Sequence, residues 1–129
     1  MPVVMQKGMT MMSLFGVGVN KQFNYDRYFQ IMPLGVESGH AIPNAFFEVV
    51  KTLNPKPTSI AIVGADAEFG KITSDAARDI AKKMGLRIVY DRSYPPSTVD
   101  FAPIARAIQN ANPDLVFVAS YPIDSVGLY

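Results

Sequence analysis

The sequence predicts an α/β protein in which a parallel β-sheet is flanked by helices on both faces. Two apolar runs, Ile60 to Val63 and Leu115 to Ala119, have no polar alternation, which is typical of strands covered on both sides. Segments with helical periodicity alternate with the predicted strands, and the connections between them are short. This order favours right-handed βαβ units, in which the strands of the sheet run in the same direction.

The N-terminal segments carry the weakest signals for secondary structure. Pro2 to Met5 is apolar and is expected to form a short strand, which a glycine- and methionine-rich connection follows. Asn20 to Arg27 is polar and predicts a turn. Tyr28 to Met32 predicts another strand, which Pro33 and the following Leu-Gly sequence end.

The apolar stretch from Gly8 to Val19 resembles the core of a signal peptide in composition. It is too short to span a bilayer, and no small-x-small cleavage site follows it. A folded segment is therefore favoured over a signal peptide.

Two long helices are expected in the middle of the chain. His40 to Leu53 repeats an apolar residue every four positions, tolerates Pro43 in its first turn and ends before Asn54-Pro55. Gly70 to Met84 is the clearer helix, and Gly85 stands at its C-terminal end. Its apolar stripe consists of Ile72, Ala76, Ile80 and Met84.

The last third of the chain predicts a strand, a loop and a helix before the final strand. Leu86 to Tyr90 is the strand, and Tyr94 to Thr98 is the extended loop. Asp100 is expected to cap a helix that runs through Asn110. Asn112-Pro113-Asp114 then ends this helix ahead of the last apolar run.

Composition and charge exclude several classes of function. The 129 residues suit one domain, and 12 basic against 11 acidic residues leave a net charge of +1 with no basic block, so a nucleic-acid partner is not expected. The chain has no cysteine, which excludes disulfides and thiolate metal sites. With His40 as the single histidine, a histidine-based metal centre or a Ser-His-Asp triad is not indicated.

Three loops are candidates for a binding site, because open parallel sheets bind ligands beyond the carboxyl ends of their strands. They are Gly8-Met9-Thr10 after the first predicted strand, Gly64 to Gly70 after the central strand, and Ser120-Tyr121-Pro122 after the last strand.

The central loop is not a phosphate-binding loop. Such a loop has four residues between its glycines and a serine or threonine after the lysine. Here residues 65–69 separate Gly64 from Gly70, and Ile72 follows Lys71. Asp66 and Glu68 would also repel phosphate.

The sequence indicates no catalytic residues and no cofactor. Asp66 and Glu68 are interpreted as solvated acids near a helix N-terminus rather than as an acid/base pair. His40 is expected to be a helix-start residue. The serines lack the flanking glycines of a nucleophile elbow; they include Ser13, Ser59, Ser74 and Ser120.

Two aromatic residues remain as candidates for an apolar pocket wall. Phe69 lies at the tip of the central loop, and Tyr121 follows the last strand. The alternative for Phe69 is packing under the following helix, and for Tyr121 a structural place at the strand end beside Pro122.

The order of motifs resembles the Leu/Ile/Val type of periplasmic solute-binding protein, the extracytoplasmic receptors of ABC importers. An apolar strand runs into an acidic loop with Phe69-Gly70, Tyr94-Pro95 leads to Asp100-Phe101, and Asn112-Pro113-Asp114 precedes an apolar strand. The resemblance covers essentially the whole chain and is loosest over residues 11–30. These receptors are much longer and have two α/β lobes joined by crossing strands, the type I periplasmic binding protein fold.

The resemblance implies how the chain is divided. Residues 1–32 look like the end of a first-lobe strand, its ligand loop and a crossover, and residues 33–129 look like the first half of a second lobe. The chain therefore looks like a fragment. A fragment of this kind is expected to hold ligand poorly and to self-associate, for example by exchange of its N-terminal arm.

The resemblance also implies the ligand contacts. The first-lobe loop that holds an amino-acid head group corresponds to Gly8, Met9 and Thr10, and the two aromatic contacts correspond to Phe69 and Tyr121. Lys7 and Met9 depart from the small residues common in that loop, and Lys7 suits an aromatic or aliphatic carboxylate.

The implied function is that of a periplasmic receptor that closes on an amino acid or a small carboxylate and docks on an ABC permease. A cytoplasmic ligand-sensing regulator of the same fold is the alternative, and a signal peptide in the complete gene would separate the two. No enzyme activity is expected.

Overall fold

The computed structural model describes residues 1–14, 19–32 and 39–128. The N-terminal part contains a two-stranded parallel sheet, in which Met11 pairs with Tyr28 and Ser13 with Gln30. Its elements are α1 (Pro2–Gln6), β1 (Met11–Ser13), α2 (Val19–Phe23) and β2 (Tyr28–Gln30).

Residues 39–128 form a three-stranded parallel sheet with the order β4-β3-β5 and helices on both faces. The predicted α/β class, with its parallel sheet, is therefore confirmed. The elements are α3 (Ala41–Val50), β3 (Ser59–Ala65), α4 (Glu68–Lys83), β4 (Arg87–Tyr94), α5 (Ala102–Ala111), β5 (Leu115–Ala119) and α6 (Pro122–Leu128).

The central strand β3 is buried along its whole length, from Ser59 to Ala65. Its alternate side chains enter two separate cores. On one face, Ile60 and Ile62 pack with α3 and α4 residues, including Phe47 and Ala77. On the other face, Val63 and Ala65 form a core with Tyr94 and Phe101, against which side chains of α5 and α6 pack. The uninterrupted apolar run of β3 thus reflects burial on both sides.

Aromatic rings fill the first core. Phe46 and Phe47 meet edge to face with their centroids 5.1 Å apart, and Phe46 contacts Phe117 of β5 at 5.2 Å. Edge-to-face pairs place the positive rim of one ring against the negative face of another. These contacts hold α3 against the sheet.

The first turn of α4 lies so close to the end of β3 that position 70 has to be glycine. A Cβ atom on Gly70 would lie 2.1 Å from the carbonyl oxygen of Ala65. The absence of a side chain lets the helix start directly over the end of β3. Lys82 and Lys83 in the last turn complement the helix dipole, and Glu68 does so in the first turn.

Two predictions about the N-terminal part are wrong. Pro2 to Met5 is not a strand, since it belongs to α1, where Pro2 starts the helix with a backbone angle suited to a first turn. A short apolar run does not distinguish a strand from a helical turn. The region from Asn20 to Arg27 is not all turn, because α2 includes its first residues. The strand predicted at Tyr28 is confirmed as β2.

The C-terminal part follows the sequence closely, with four differences. The strand predicted to end at Tyr90 continues to Tyr94, which is therefore not part of the loop. The helix predicted from Gly70 begins at Glu68. The helix α6 after β5 was not predicted. The N-cap residue of α5 is Phe101 rather than the predicted Asp100, which precedes it and whose Oδ1 accepts a hydrogen bond from the N–H of Ala102 at 3.0 Å.

The boundary predicted near residue 32 falls between the two sheets, although residues 33–38 are outside the described part of the chain. The assignment of residues 1–32 and 33–129 to two lobes stays a prediction. Within the described ranges, every helix is too short or too polar to span a bilayer.

Candidate ligand-binding site

The three strands β3, β4 and β5 end together at one edge of the sheet, at Ala65, Tyr94 and Ala119. The loop after β3 is short, since only Asp66 and Ala67 separate the strand from α4. The N–H of Asp66 donates to the carbonyl of Tyr94 at 2.7 Å and so joins the ends of β3 and β4. This carboxyl edge is where parallel sheets bind ligands.

The two predicted aromatic residues meet at this edge. The ring centroids of Phe69 and Tyr121 are 5.9 Å apart, and the ring planes are tilted by 53°. Both side chains are half-buried. Phe69 stands in the first turn of α4 rather than at a loop tip, and its carbonyl accepts a hydrogen bond from Thr73 Oγ1 at 2.7 Å. The pair forms a continuous aromatic surface with part of each ring open to solvent.

A buried polar pair joins the end of β4 to α6, the helix that follows Tyr121. The hydroxyl of Tyr94, 3% exposed, donates to Oδ2 of Asp124, 6% exposed, at 3.0 Å. Burial raises the pKa of the Tyr94 hydroxyl, and the hydrogen bond with Asp124 raises this pKa further. Asp124 belongs to the first turn of α6, and its N–H donates to the carbonyl of Tyr121 at 3.0 Å. The end of β4 therefore positions α6 and, through it, Tyr121.

Neither Asp124 nor the helix that carries it was predicted from the sequence. A signal was present, because Pro122 and Asp124 occupy the first and third positions of α6, where proline and acidic residues are favoured. A helix of 7 residues is too short to show a clear helical periodicity in the sequence.

The acids of the central loop are exposed, in agreement with their interpretation as solvated residues near a helix N-terminus. Asp66 forms an ion pair with Lys71 at 2.8 Å, and Glu68 belongs to the first turn of α4. His40 is the N-cap residue of α3, as expected of a helix-start residue. No group of three potential metal ligands occurs within residues 1–14, 19–32 and 39–128.

A second, more polar cleft of about 240 Å³ lies between α4 and the ends of β3 and β4. Arg78 lines it and binds Asp91 through two hydrogen bonds of 2.7 and 2.9 Å, with a further ion pair to Asp75. The hydrogen bond with Asp91 is the main cause that raises the pKa of Arg78. Since Lys71 is paired with Asp66, both cations of this cleft are already matched by acids of the chain.

The three residues predicted to hold a ligand from the first lobe do not lie at the carboxyl edge of the β4-β3-β5 sheet. Gly8, Met9 and Thr10 were expected after a strand, but they follow α1 and precede β1. Their carbonyls face the segment after α2: Arg27 Nη1 donates to the carbonyl of Gly8 at 2.5 Å, and the Tyr25 hydroxyl donates to that of Met9 at 2.7 Å. The placement of these residues at a carboxyl edge is wrong, because the strand on which it depended is a helix.

The carboxyl end of β1 is followed by Leu14 and then by residues 15–18, which lie outside the described part of the chain. Contacts of Gly8, Met9 and Thr10 with a ligand stay a prediction that no described geometry supports.

The carboxyl edge of a parallel α/β sheet is a place where proteins of this architecture bind small molecules. A sequence model of the family described as periplasmic binding protein matches residues 1–129. The chain belongs to that family, and the resemblance to its Leu/Ile/Val type is confirmed.

The chain is similar in sequence to curated proteins, of which two are described by their identity and coverage. The chain is 33% identical over 73 residues to Leu/Ile/Val-binding protein homolog 8 of Brucella abortus (strain 2308), a match that covers 57% of this chain and 18% of the relative. It is 32% identical over 71 residues to homolog 7 of the same strain, with 55% and 18% covered.

Solved structures show the same fold. The amino acid ABC transporter substrate-binding protein of Pseudomonas fluorescens Pf-5 matches with a TM-score of 0.79 and 16% identity, over 98% of this chain and 33% of that one. An extracellular ligand-binding receptor of Rhodopseudomonas palustris HaA2 matches with a TM-score of 0.77 and 16% identity, over 98% and 36%. The chain thus spans about a third of the length of these structures and corresponds to a partial domain of their fold.

Proposed function

We propose that this chain forms part of an extracytoplasmic solute-binding receptor of an ABC importer. The observation that carries the proposal is the contact between Phe69 and Tyr121 at the carboxyl edge of the sheet. Membership of the periplasmic binding protein family supports the receptor class. The ligand is an amino acid or a related small carboxylate, held in a cleft between two lobes.

The aromatic surface suits the apolar side chain of such a ligand. Two half-buried rings offer flat apolar area and are already in contact, so little conformational freedom is lost when a ligand packs on them. The exposed acids Asp66 and Glu68 stand at the same edge, with Asp66 ion-paired to Lys71 at 2.8 Å, and their negative charge is compatible with a ligand that carries an ammonium group. An amino acid with a branched or aromatic side chain meets both conditions.

Transport follows from closure of the two lobes. The ligand bridges the lobes, the closed form docks on a membrane permease, and the receptor works in the periplasm. This chain supplies one wall of the cleft, so its own affinity for ligand is expected to be in the millimolar range, equivalent to about −4 kcal/mol.

Titration followed by ¹H–¹⁵N correlation spectra tests the proposal. The panel contains leucine, isoleucine, valine and phenylalanine, together with the corresponding carboxylates without the amino group and a neutral sugar. We expect the amino acids to shift the amide signals of residues 66–70, Ser120 and Tyr121, while the signals of Lys56 and Thr58 at the opposite edge stay unchanged.

A matched pair of variants distinguishes binding at the Phe69–Tyr121 surface from non-specific binding. Phe69→Leu removes the ring from the proposed surface, and Phe29→Leu makes the same change at an exposed site on β2. Phe69→Leu should weaken the titration several-fold, and Phe29→Leu should leave it unchanged. Equal effects of both variants, or amide shifts spread evenly over the chain, would show that the Phe69–Tyr121 surface is not the site.

A further inference from the structure

An ion pair between Asp66 and Lys71 lies at the carboxyl edge of the sheet, where α4 begins. The Lys71 Nζ and the Asp66 Oδ1 are 2.8 Å apart, and the two side chains are 61% and 48% exposed. Asp66 directly follows β3, and Lys71 is the fourth residue of α4. The ion pair therefore spans the short loop that joins this strand to this helix.

Lys71 occupies a position where the helix dipole disfavours a cation. The N-terminal end of a helix carries a partial positive charge, which stabilises acidic groups and destabilises basic ones. The other charges of α4 follow this rule, since Glu68 stands in the first turn and Lys82 and Lys83 stand in the last turn. The contact with Asp66 offsets the unfavourable position, so Lys71 depends on this acid for a matching charge.

The ion pair engages the Asp66 carboxylate on the β4 side of this edge. Lys71 lines the polar cleft between α4 and the ends of β3 and β4. Tyr121 follows β5, which pairs with the other side of β3, and it meets Phe69 there. One of the two acids that are compatible with a ligand's ammonium group is thus occupied by an ammonium group of the chain itself.

We propose that Lys71 is a specificity-determining residue, whose ammonium group competes with the ammonium group of a ligand for the Asp66 carboxylate. The proposal rests on the proposed function, because it concerns the same site. A ligand with an ammonium group replaces Lys71 at Asp66, whereas a ligand without one leaves the ion pair intact. Lys71 therefore reduces the preference of the site for amino acids over carboxylates that lack the amino group.

The exchange of one ammonium group for another is feasible because the ion pair is weak. Both side chains are about half exposed, and ion pairs between exposed side chains contribute little to stability. Competition by such a pair weakens the binding of a ligand by a factor of no more than about 5. The effect of Lys71 is therefore expected to be moderate and to be limited to ligands that carry an ammonium group.

Titration with three ligands that share one apolar side chain tests the proposal. Leucine carries both charged groups, isocaproate is leucine without its amino group, and isoamylamine is leucine without its carboxylate. The amide signals of Asp66, Phe69 and Tyr121 report binding at the site. In Lys71→Gln the affinities for leucine and isoamylamine should rise by about two- to fivefold, and the affinity for isocaproate should not rise.

Three further variants control for charge and for the ion pair. Lys82→Gln removes the same charge from the exposed last turn of α4 and should leave all three affinities at their wild-type values. Lys71→Arg keeps a cation that can pair with Asp66, so it should retain the wild-type ratio of leucine to isocaproate affinity. In an Asp66→Asn background, Lys71→Gln should no longer change the leucine affinity, because the competing contact is already absent.

The possible results separate this proposal from the proposed function. If the wild type binds leucine and Lys71→Gln leaves the ratio of leucine to isocaproate affinity unchanged, the role of Lys71 is overturned and the proposed function stands. Weaker binding of both leucine and isocaproate by Lys71→Gln also overturns it and indicates that Lys71 contacts the ligand carboxylate. If neither protein binds any of the three ligands, the proposed function fails, and this proposal fails with it.

Discussion

Asp114 joins the first residues of β3 and β5 through one carboxylate oxygen. Its Oδ2 accepts hydrogen bonds from the N–H of Thr58 at 2.8 Å, from the Thr58 hydroxyl at 2.9 Å and from the N–H of Ser59 at 3.0 Å. In return, the N–H of Asp114 donates to Ser59 Oγ at 3.0 Å. The Asn-Pro-Asp motif that was noted in the sequence therefore has a structural role, since its aspartate fixes the register of two neighbouring strands.

The pH dependence of stability follows from this arrangement. The hydrogen bonds from Thr58 and Ser59 lower the pKa of Asp114 to about 2. The pKa is lower in the folded chain than the ordinary value of about 3.9, so the stabilisation is present above pH ~4 and is lost as the pH falls through about 2. Asp114→Asn should lower the urea midpoint at pH 6, and its difference from wild type should shrink towards pH 2.

Asp79→Asn is the control for this prediction, because Asp79 is exposed on α4 and no hydrogen bond within the described part of the chain joins it to the start of a strand. It should leave the midpoint nearly unchanged at both pH values. A constant difference between Asp114→Asn and wild type from pH 6 to pH 2 would contradict the role of the Asp114 charge.

Two buried serines provide a second test at the residue scale. Ser59 and Ser74 are both 3% exposed, but Ser59 accepts the Asp114 N–H, whereas Ser74 Oγ has no hydrogen-bond partner among the described residues. A buried hydroxyl without a partner costs free energy, while one with a partner contributes about 1 kcal/mol. Ser74→Ala should therefore hold or raise the free energy of unfolding, and Ser59→Ala should lower it by about 1 kcal/mol.

Chemical denaturation of both variants under the same conditions measures the two changes. Equal destabilisation by Ser59→Ala and Ser74→Ala would show that the hydrogen bond to Asp114 does not matter.

At the scale of elements, α6 depends on a contact across 30 residues of sequence, the hydrogen bond from Tyr94 to Asp124. Because both side chains are buried, loss of the tyrosine hydroxyl leaves the Asp124 carboxylate without this donor.

Tyr94→Phe should lower the free energy of unfolding by about 1–3 kcal/mol and loosen α6. Tyr90→Phe is the matched control, since Tyr90 lies in the same strand, is half-buried and has no hydrogen bond through its hydroxyl among the described contacts. Denaturation measures the free energy of unfolding, and amide exchange over residues 123–128 measures the loosening of α6. Unchanged exchange in Tyr94→Phe would mean that other contacts hold α6.

Elements with long, uniform patterns were predictable from the sequence. The strand β5 and the cores of β3, α3, α4 and α5 follow directly from apolar runs and helical periodicity. The run Pro2 to Met5 was too short to distinguish strand from helix, and no local pattern extends far enough to correct it. The helix α6 has proline and aspartate in its first turn, but the buried hydrogen-bond partner of Asp124 is Tyr94, which lies far away in the sequence.

At the scale of the whole molecule, topology predicted which aromatic residues lie together. Parallel strands end at one edge, so residues that follow β3 and β5 were expected together, and Phe69 and Tyr121 are in contact. The same rule misplaced Gly8, Met9 and Thr10, because it was applied to a strand that does not exist. Contacts such as that between Asp114 and Ser59 depend on side-chain geometry and are not encoded by any local pattern.

The chain belongs to the periplasmic binding protein family and spans about a third of the solved structures that share its fold. The contact between Phe69 and Tyr121 is the feature on which the proposed receptor function rests.

The most direct test of the ligand site is the measurement of intermolecular nuclear Overhauser effects between leucine methyl protons and aromatic ring protons of the chain. Cross-peaks to the rings of Phe69 and Tyr121, which disappear in Phe69→Leu and persist in Phe29→Leu, are the predicted result. Cross-peaks to other aromatic rings alone would place the ligand elsewhere and contradict the proposed site.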